Sequence, residues 1–265
     1  MKITYNDITN EDKKLIVCYF DTKDRISSGI SKTINKGTTN NSRYIPNYFS
    51  ATYDSTIEYQ LSLVKDDFSA FSVSDIREIN RWLINKDTPC QLKCEYDDET
   101  FLYNGVFTSV EYVNAGIGIV GLVYSFTNNS PFAYIQASNS YNVLANGTIN
   151  ISCDSDLVEG YVYPTFNIAN TTSTSKTITI TNETDDNKTL TITVPANTTL
   201  KFQCQNQIIT NGQNSVSYED LGIDDNTNIY WLRFISGINT LTFDDTCTFS
   251  YELLLPIKLG EMHEY

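Results

Sequence analysis

The hydrophobic positions of this chain recur with period two over most of its length. Ile57, Tyr59, Leu61 and Leu63 alternate with Glu58, Gln60 and Ser62, the signature of a strand with one buried face. Val106, Thr108, Val110 and Tyr112 alternate in the same way, as do Val120, Leu122, Tyr124 and Phe126. Leu15–Phe20 predicts an early strand, and Gln91–Tyr96 with Phe101–Tyr103 predicts a hairpin turning on Asp97, Asp98 and Glu99. Further on, Thr165–Ile168 reads as a strand. Ile178 and Ile180 are joined to Leu190, Ile192 and Val194 by a polar tip at Asn182–Asn187. Leu200 and Phe202, Ile229–Phe234, Asn239–Phe243 and Thr246–Leu255 complete the set. Short strands separated by turn signals predict antiparallel sandwiches.

One stretch departs from that period. Ile76, Ile79, Trp82 and Leu83 fall at i, i+3, i+6 and i+7, one apolar stripe of a helix. Ser74 or Asp75 is its expected cap, with Glu78 three residues after Asp75 as in a capping box. Lys86–Pro89 ends it, because proline and its predecessor disfavour helix. Residues 22–43 are polar and long for a connection within a compact domain, so they read either as an arm reaching a partner or as a surface loop. Between Tyr134 and Asn150 the composition turns to Ala, Ser, Asn and Gly, a boundary signal. Two β domains are expected, 1–138 and 139–265.

Composition narrows the function. The 265 residues carry 18 Lys+Arg against 32 Asp+Glu, a formal charge of −14, whereas binding duplex nucleic acid calls for clustered cations. A hydrophobic fraction of 40% excludes disorder, and 19% charged residues fall below the usual quarter. Asn, Thr, Ser and Tyr must therefore cover much of the surface, which suits a protein that hides surface in an assembly. His263 is the single histidine and lies three residues from the chain end, so histidine catalysis is set aside. Of the cysteines 18, 90, 94, 153, 204 and 247, only Cys90 and Cys94 are close in sequence, which does not make a zinc site. Met1–Asp7 turns polar at once and lacks the apolar core of a secretory leader. Cytoplasmic synthesis with reduced, mostly buried thiols is expected. Gly116–Tyr124 is too short to span a bilayer, so no membrane partner is expected. The acid pairs Asp97-Asp98, Asp185-Asp186, Asp224-Asp225 and Asp244-Asp245 fall at expected turns and read as solvated acids rather than a hydrolytic pair or a metal site. No catalytic residue, metal ligand or cofactor site emerges.

The order of features carries a resemblance. The helix Asp75-Ile-Arg-Glu-Ile-Asn-Arg-Trp-Leu83 is followed by the acidic hairpin around Asp97-Asp98, then by Tyr103-Asn-Gly105, a strand, and the close Ser130-Pro-Phe-Ala-Tyr134. Late in the chain comes Leu232-Arg-Phe-Ile-Ser-Gly237, a turn before a strand. This layout resembles the distal tail proteins of long-tailed phages, and it spans nearly the whole chain. Where that family often shows a glycine-rich turn, Asn47-Tyr48-Phe49 follows Pro46 here. The resemblance implies a tail-tube-like β-sandwich or barrel with one helix, then a galectin-like antiparallel β-sandwich.

It also implies a structural, non-enzymatic part of the virion tail tip: a homohexameric ring joining the tail-tube protein to the tail-associated (hub/lysin) protein and to receptor-binding proteins. The genome would pass through such a ring unbound, and an acidic lumen would repel phosphate. Arg77 and Arg81 on the helix's outer side, with Lys32, Lys36 and Arg43 of the polar segment, are the candidate inter-subunit or tail-interface residues. Trp82 is expected in the core. Trp231 sits among alternating aromatics as in a core, and is otherwise a candidate for stacking on a glycan. The rival readings are a carbohydrate-binding host-adhesion module and a tail-tube or other baseplate subunit.

Overall fold

The computed structural model describes residues 1–20, 32–36, 48–53, 56–96, 99–157, 159–212, 214–223 and 229–258. The chain divides into two compact units, Met1–Tyr134 with Lys258, and Ile135–Ile257. Among the described residues it is mainly β with one α-helix.

The first unit holds β1 (Lys2–Tyr5), β2 (Ile8–Thr9), β3 (Leu15–Cys18), β4 (Lys32–Lys36), β5 (Tyr48–Tyr53), β6 (Glu58–Lys65), α1 (Val73–Leu83), β7 (Cys90–Tyr96), β8 (Glu99–Ala115) and β9 (Gly118–Asn128). Seven of these strands pair antiparallel in the order β2-β1-β7-β8-β9-β6-β3. β4 and β5 form a separate two-stranded sheet. The polar segment read as a possible loop thus contains a strand. A β-branched pair, Thr33-Ile34, lies opposite Ala51-Thr52 and supplies the pairing that the run of Ser, Asn and Lys hid.

β8 is long because its two ends pair with different neighbours. Its first half, Glu99–Gly105, pairs with β7, and from Gly105 onward it pairs with β9. Gly105 belongs to both ladders, opposite Cys90 and Asn128. A methyl group there would lie 2.1 Å from the Thr127 carbonyl oxygen. Only glycine admits that backbone approach. Gly105→Ala is expected to destabilise this unit by about 2 kcal/mol, the usual scale of forced overpacking, read as a lower urea midpoint at unchanged slope.

α1 packs by the stripe its sequence shows. Ile79, Trp82 and Leu83 are buried. Trp82 is 3% exposed, and its indole N–H donates to the Tyr5 carbonyl at 2.8 Å. The cap lies two residues earlier than expected. Ser72 accepts from the Asp75 amide (3.2 Å) while the Asp75 carboxylate accepts from the Ser72 amide (2.8 Å). Asp75 thus fills the reciprocal role that the sequence pattern gave to Glu78, which turns to Lys13 instead (2.7 Å). Beneath the helix, Phe107 makes edge contacts with Tyr5 (5.0 Å), Phe126 (5.0 Å) and Tyr124 (6.0 Å).

The division between units falls inside β10 (Ala133–Val143). The second unit continues with β11 (Gly147–Cys153), β12 (Thr165–Asn170), β13 (Lys176–Asn182), β14 (Lys188–Val194), β15 (Thr198–Gln203), β16 (Ile208–Asn211), β17 (Asn214–Ser215), β18 (Gly237–Phe243) and β19 (Cys247–Ile257). One sheet runs β17-β16-β15-β12-β19-β10 and the other β11-β18-β13-β14. Their facing sides enclose one core, in which the Phe166 and Phe202 rings stack at 4.6 Å and Phe249 joins them. Outward, β13 and β14 oppose Thr177 to Thr193 and Thr179 to Thr191, with hydroxyls 3.2 Å apart in each pair. Those threonine rows are the uncharged surface that the composition demands.

Ile229–Phe234, expected as a strand, is not one. Only Phe234 bridges, to Val162. Side chains hold the segment in place of a ladder: Asn182 donates to the Arg233 carbonyl (2.9 Å) and to the Tyr230 hydroxyl (3.0 Å).

Candidate functional site

The described residues offer little reactive chemistry. All six cysteines are thiols, four of them buried. Burial pushes Cys153 and Cys247 up to about 11 and Cys204 up to about 12, which keeps them protonated and poorly nucleophilic. Among the described residues no group of three or more His, Cys, Asp or Glu could hold a metal ion, and no helix is long and apolar enough to cross a membrane. His263, Asp97, Asp98, Asp224 and Asp225 lie outside the described residues.

The densest polar cluster is in the second unit, around Asp185. The turn from β13 to β14 is built by Asn182, whose side-chain oxygen accepts from the amides of Thr184 (3.2 Å) and Asp185 (3.3 Å). Asp186 and Asn187 then take left-handed backbone, at φ 56° and 55°. This turns the Asp185 carboxylate inward, to 7% exposure. There it accepts two bonds from Arg233, Nε to Oδ2 at 2.7 Å and Nη2 to Oδ1 at 3.1 Å. Tyr230 adds a third at 2.8 Å, and Lys188 lies 3.3 Å away. The Arg233 guanidinium is the main reason the Asp185 carboxyl titrates at about 2. Burial moves the Tyr230 hydroxyl upward, and the carboxylate raises Arg233. Asp185 is therefore not the solvated turn acid its sequence context predicts; its partner comes from 48 residues away. Asp186, Asp244 and the half-buried Asp245 keep the turn positions expected of them, with Asp245 paired to Lys176 at 3.0 Å.

The candidate interface residues belong to the first unit. Arg77 and Arg81 are exposed on the outer side of α1. Beside them the helix is tied by ion pairs, Lys13 to Glu78 (2.7 Å) and Lys65 to Asp75 (2.6 Å). Lys65, followed by the Ser72 backbone, holds the Asp75 carboxyl at about 2. Lys32 and Lys36 occupy the two ends of β4, opposite Tyr53 and Tyr48; Arg43 lies outside the described residues. Singly exposed apolar side chains were not foreseen from the sequence. Ile16 on β3 is 39% exposed, Ile34 on β4 51%, and Phe20 37%. The Phe20 ring sits where a side chain at Gly121 would otherwise be, within 2.2 Å of that position. Such features suit docking rather than a reaction.

Trp231 is half-buried against the second core, its ring edge-on to Phe202 at 6.5 Å. Exposed aromatics lie elsewhere in that unit, at Tyr161, Tyr163 and Tyr218. The repeat Tyr161-Val162-Tyr163 carried the signal, since tyrosines flanking a buried valine must share the outer side of an extended segment.

Comparison with known proteins covers both units. A phage tail protein N-terminal domain matches residues 1–130, and a phage tail C-terminal domain matches residues 132–252. Among solved structures, the Dit (gp 19.1) protein of phage SPP1, described as a paradigm of the hub adsorption apparatus in phages infecting Gram-positive bacteria, is similar at TM-score 0.64 and 14% identity. That likeness covers 95% of this chain and 97% of the other. A chain of the phage P2 baseplate in its activated conformation with Ca is similar at TM-score 0.56 and 9% identity, covering 97% and 98%. The Sr-bound counterpart gives 0.53 and 10%, covering 95% and 96%. No curated protein sequence matches the chain.

Proposed function

This chain belongs to the phage tail protein family, and from that premise we propose that it is the ring-forming hub of the tail tip. Six copies close a ring beneath the tail-tube protein. Their second units face outward, and the ring joins the tube to the tail-associated (hub/lysin) protein and to receptor-binding proteins. The role is architectural, without catalysis, and the protein acts in the virion after synthesis in the bacterial host. The observation that carries this reading is the end-to-end likeness of both units to the hub protein of phage SPP1.

The first unit has suitable parts for a cyclic contact. Closing a ring requires two different patches on each copy that fit one another. One patch is the β4–β5 hairpin, a two-stranded sheet of the kind that is marginal alone in water and gains from a surface to lie on. The other is the outer side of α1 with Arg77 and Arg81, on a protein whose net charge of −14 makes cations scarce contact points. The acid excess also suits a channel through which DNA slides without adhering.

Arg77→Glu combined with Arg81→Glu is expected to cut the yield of infectious particles at least tenfold in a complementation assay. The melting temperature of the isolated protein should stay within a few degrees, because exposed substitutions rarely move stability by more than about 0.5 kcal/mol. Wild-type yield from this double variant would remove the helix from the interface.

A further inference from the structure

We propose that Tyr161, Tyr163 and Arg233 form a binding platform for a neutral saccharide on the second unit. The proposal goes beyond the ring reading and stands or falls separately from it.

The platform follows from one antiparallel bridge. Val162 and Phe234 exchange both backbone hydrogen bonds at 2.8 Å, and both point inward, at 6% and 0% exposure. The residues on either side must then project outward. These are Tyr161 (38% exposed) and Tyr163 (36%) on one side of the bridge, and Arg233 and Ile235 (39%) on the other. The tyrosines are about 7 Å apart along an extended backbone.

Arg233 gives this surface its rigidity. Its guanidinium lies 3.8 Å over the Tyr161 ring. From behind, the buried Asp185 carboxylate holds it in a two-point grip. One face of Tyr161 is therefore occupied by the guanidinium, and its remaining exposure is on the other face and the ring edge. The carboxylate offsets part of the local positive charge, which Lys188 at 3.3 Å from it shares. What faces solvent is an aromatic surface edged by phenol hydroxyls and guanidinium N–H groups.

That chemistry matches a pyranose. The apolar C–H face of a sugar lies on an aromatic ring, and its equatorial hydroxyls need donors and acceptors at the ring's margin; tyrosine supplies both. Size points the same way. Rings offering ~200 Å² each and about a third exposed leave a patch of a few hundred Å² at most, against ~800 Å² per partner in a standard protein interface. Charge does too: an anionic polymer would meet a protein of net charge −14. Trp231, the aromatic that first invites a stacking role, is turned onto Phe202 instead.

Saturation-transfer NMR on the intact protein tests this with N-acetylglucosamine, glucose, galactose, rhamnose and their β-linked disaccharides at millimolar concentration. At least one is expected to receive saturation. Its apparent affinity should fall at least tenfold in Tyr161→Ala and in Tyr163→Ala, and stay within twofold in Trp231→Phe. Tyr161→Leu, which keeps apolar bulk on the guanidinium, serves if the alanine variant does not fold. The proposal is overturned if no saccharide in the panel receives saturation. Transfer that survives both tyrosine substitutions also overturns it. A third contrary result is loss of another tail protein from particles carrying Tyr163→Ala while the wild-type protein binds no sugar, which makes the patch a protein contact.

Discussion

Asp185→Ala will destabilise the second unit by about 3 kcal/mol, the lower end of what removing one partner of a buried ion pair costs. The carboxylate is 7% exposed and takes bonds from Arg233 and Tyr230. Its loss strands a guanidinium that keeps some access to solvent, with 24% side-chain exposure, which is why the lower end applies. Asp185→Asn should cost less, since the amide oxygen still accepts one of the bonds. The same group sets a pH dependence. Its folded value of about 2 lies below the ordinary 3.8 of an aspartate, so its contribution is fully present above about pH 4 and is lost as pH falls through about 2. Urea unfolding of wild type and Asp185→Ala between pH 5 and pH 2 reads both effects. The gap between the two proteins should narrow as the acid is approached, and a gap independent of pH would mean the carboxylate's charge is not what stabilises the fold.

Trp82→Ala will cost the first unit about 4 kcal/mol, within the range for emptying a large buried aromatic site. The ring is 3% exposed on the helix's packed side, and its N–H satisfies the Tyr5 carbonyl at 2.8 Å. Both contributions vanish together, and α1 loses its largest buried side chain. Trp82→Phe separates them: most of the apolar volume stays, the hydrogen bond goes, and a loss of about 1–2 kcal/mol is expected. The readout is the unfolding midpoint of the first unit, with helical circular dichroism as the local probe. Retention of the wild-type midpoint in Trp82→Ala would contradict the packing described for α1.

What the sequence made legible was decided by local physics. Period-two runs found β9, β13, β14 and β15 because each buries one face more deeply than the other, and β6 by its apolar alternation although Leu61 to Val64 are buried on both faces; the 3.6-residue stripe found α1. Capping was misplaced by two residues, since Ser72 and Ser74 are both good caps and only the backbone decides which is used. The strand β4 was hidden because its residues are polar and its partner β5 begins twelve residues after it ends. Tertiary partners were the least legible. Asp185 carried every mark of a solvated turn residue, and Arg233 and Tyr230 looked like part of a strand. Nothing in either segment announces that they meet across 45 to 48 residues. Interface candidates had the same limit: Arg77 and Arg81 could be placed on a helix face from spacing, but the apolar exposure of Ile16 and Phe20 depends on which strands flank them.

The central claim is that six copies form a ring at the junction of tail tube and tip. The most direct test is cryo-electron microscopy of intact particles carrying this protein, with the density at that junction assigned by fitting each unit. The account predicts one closed ring of six copies, roughly 180 kDa for chains of 30.0 kDa, with β4–β5 hairpins and α1 faces at the contacts between neighbours. Finding the protein stacked along the tube, or only in peripheral fibres, would contradict it.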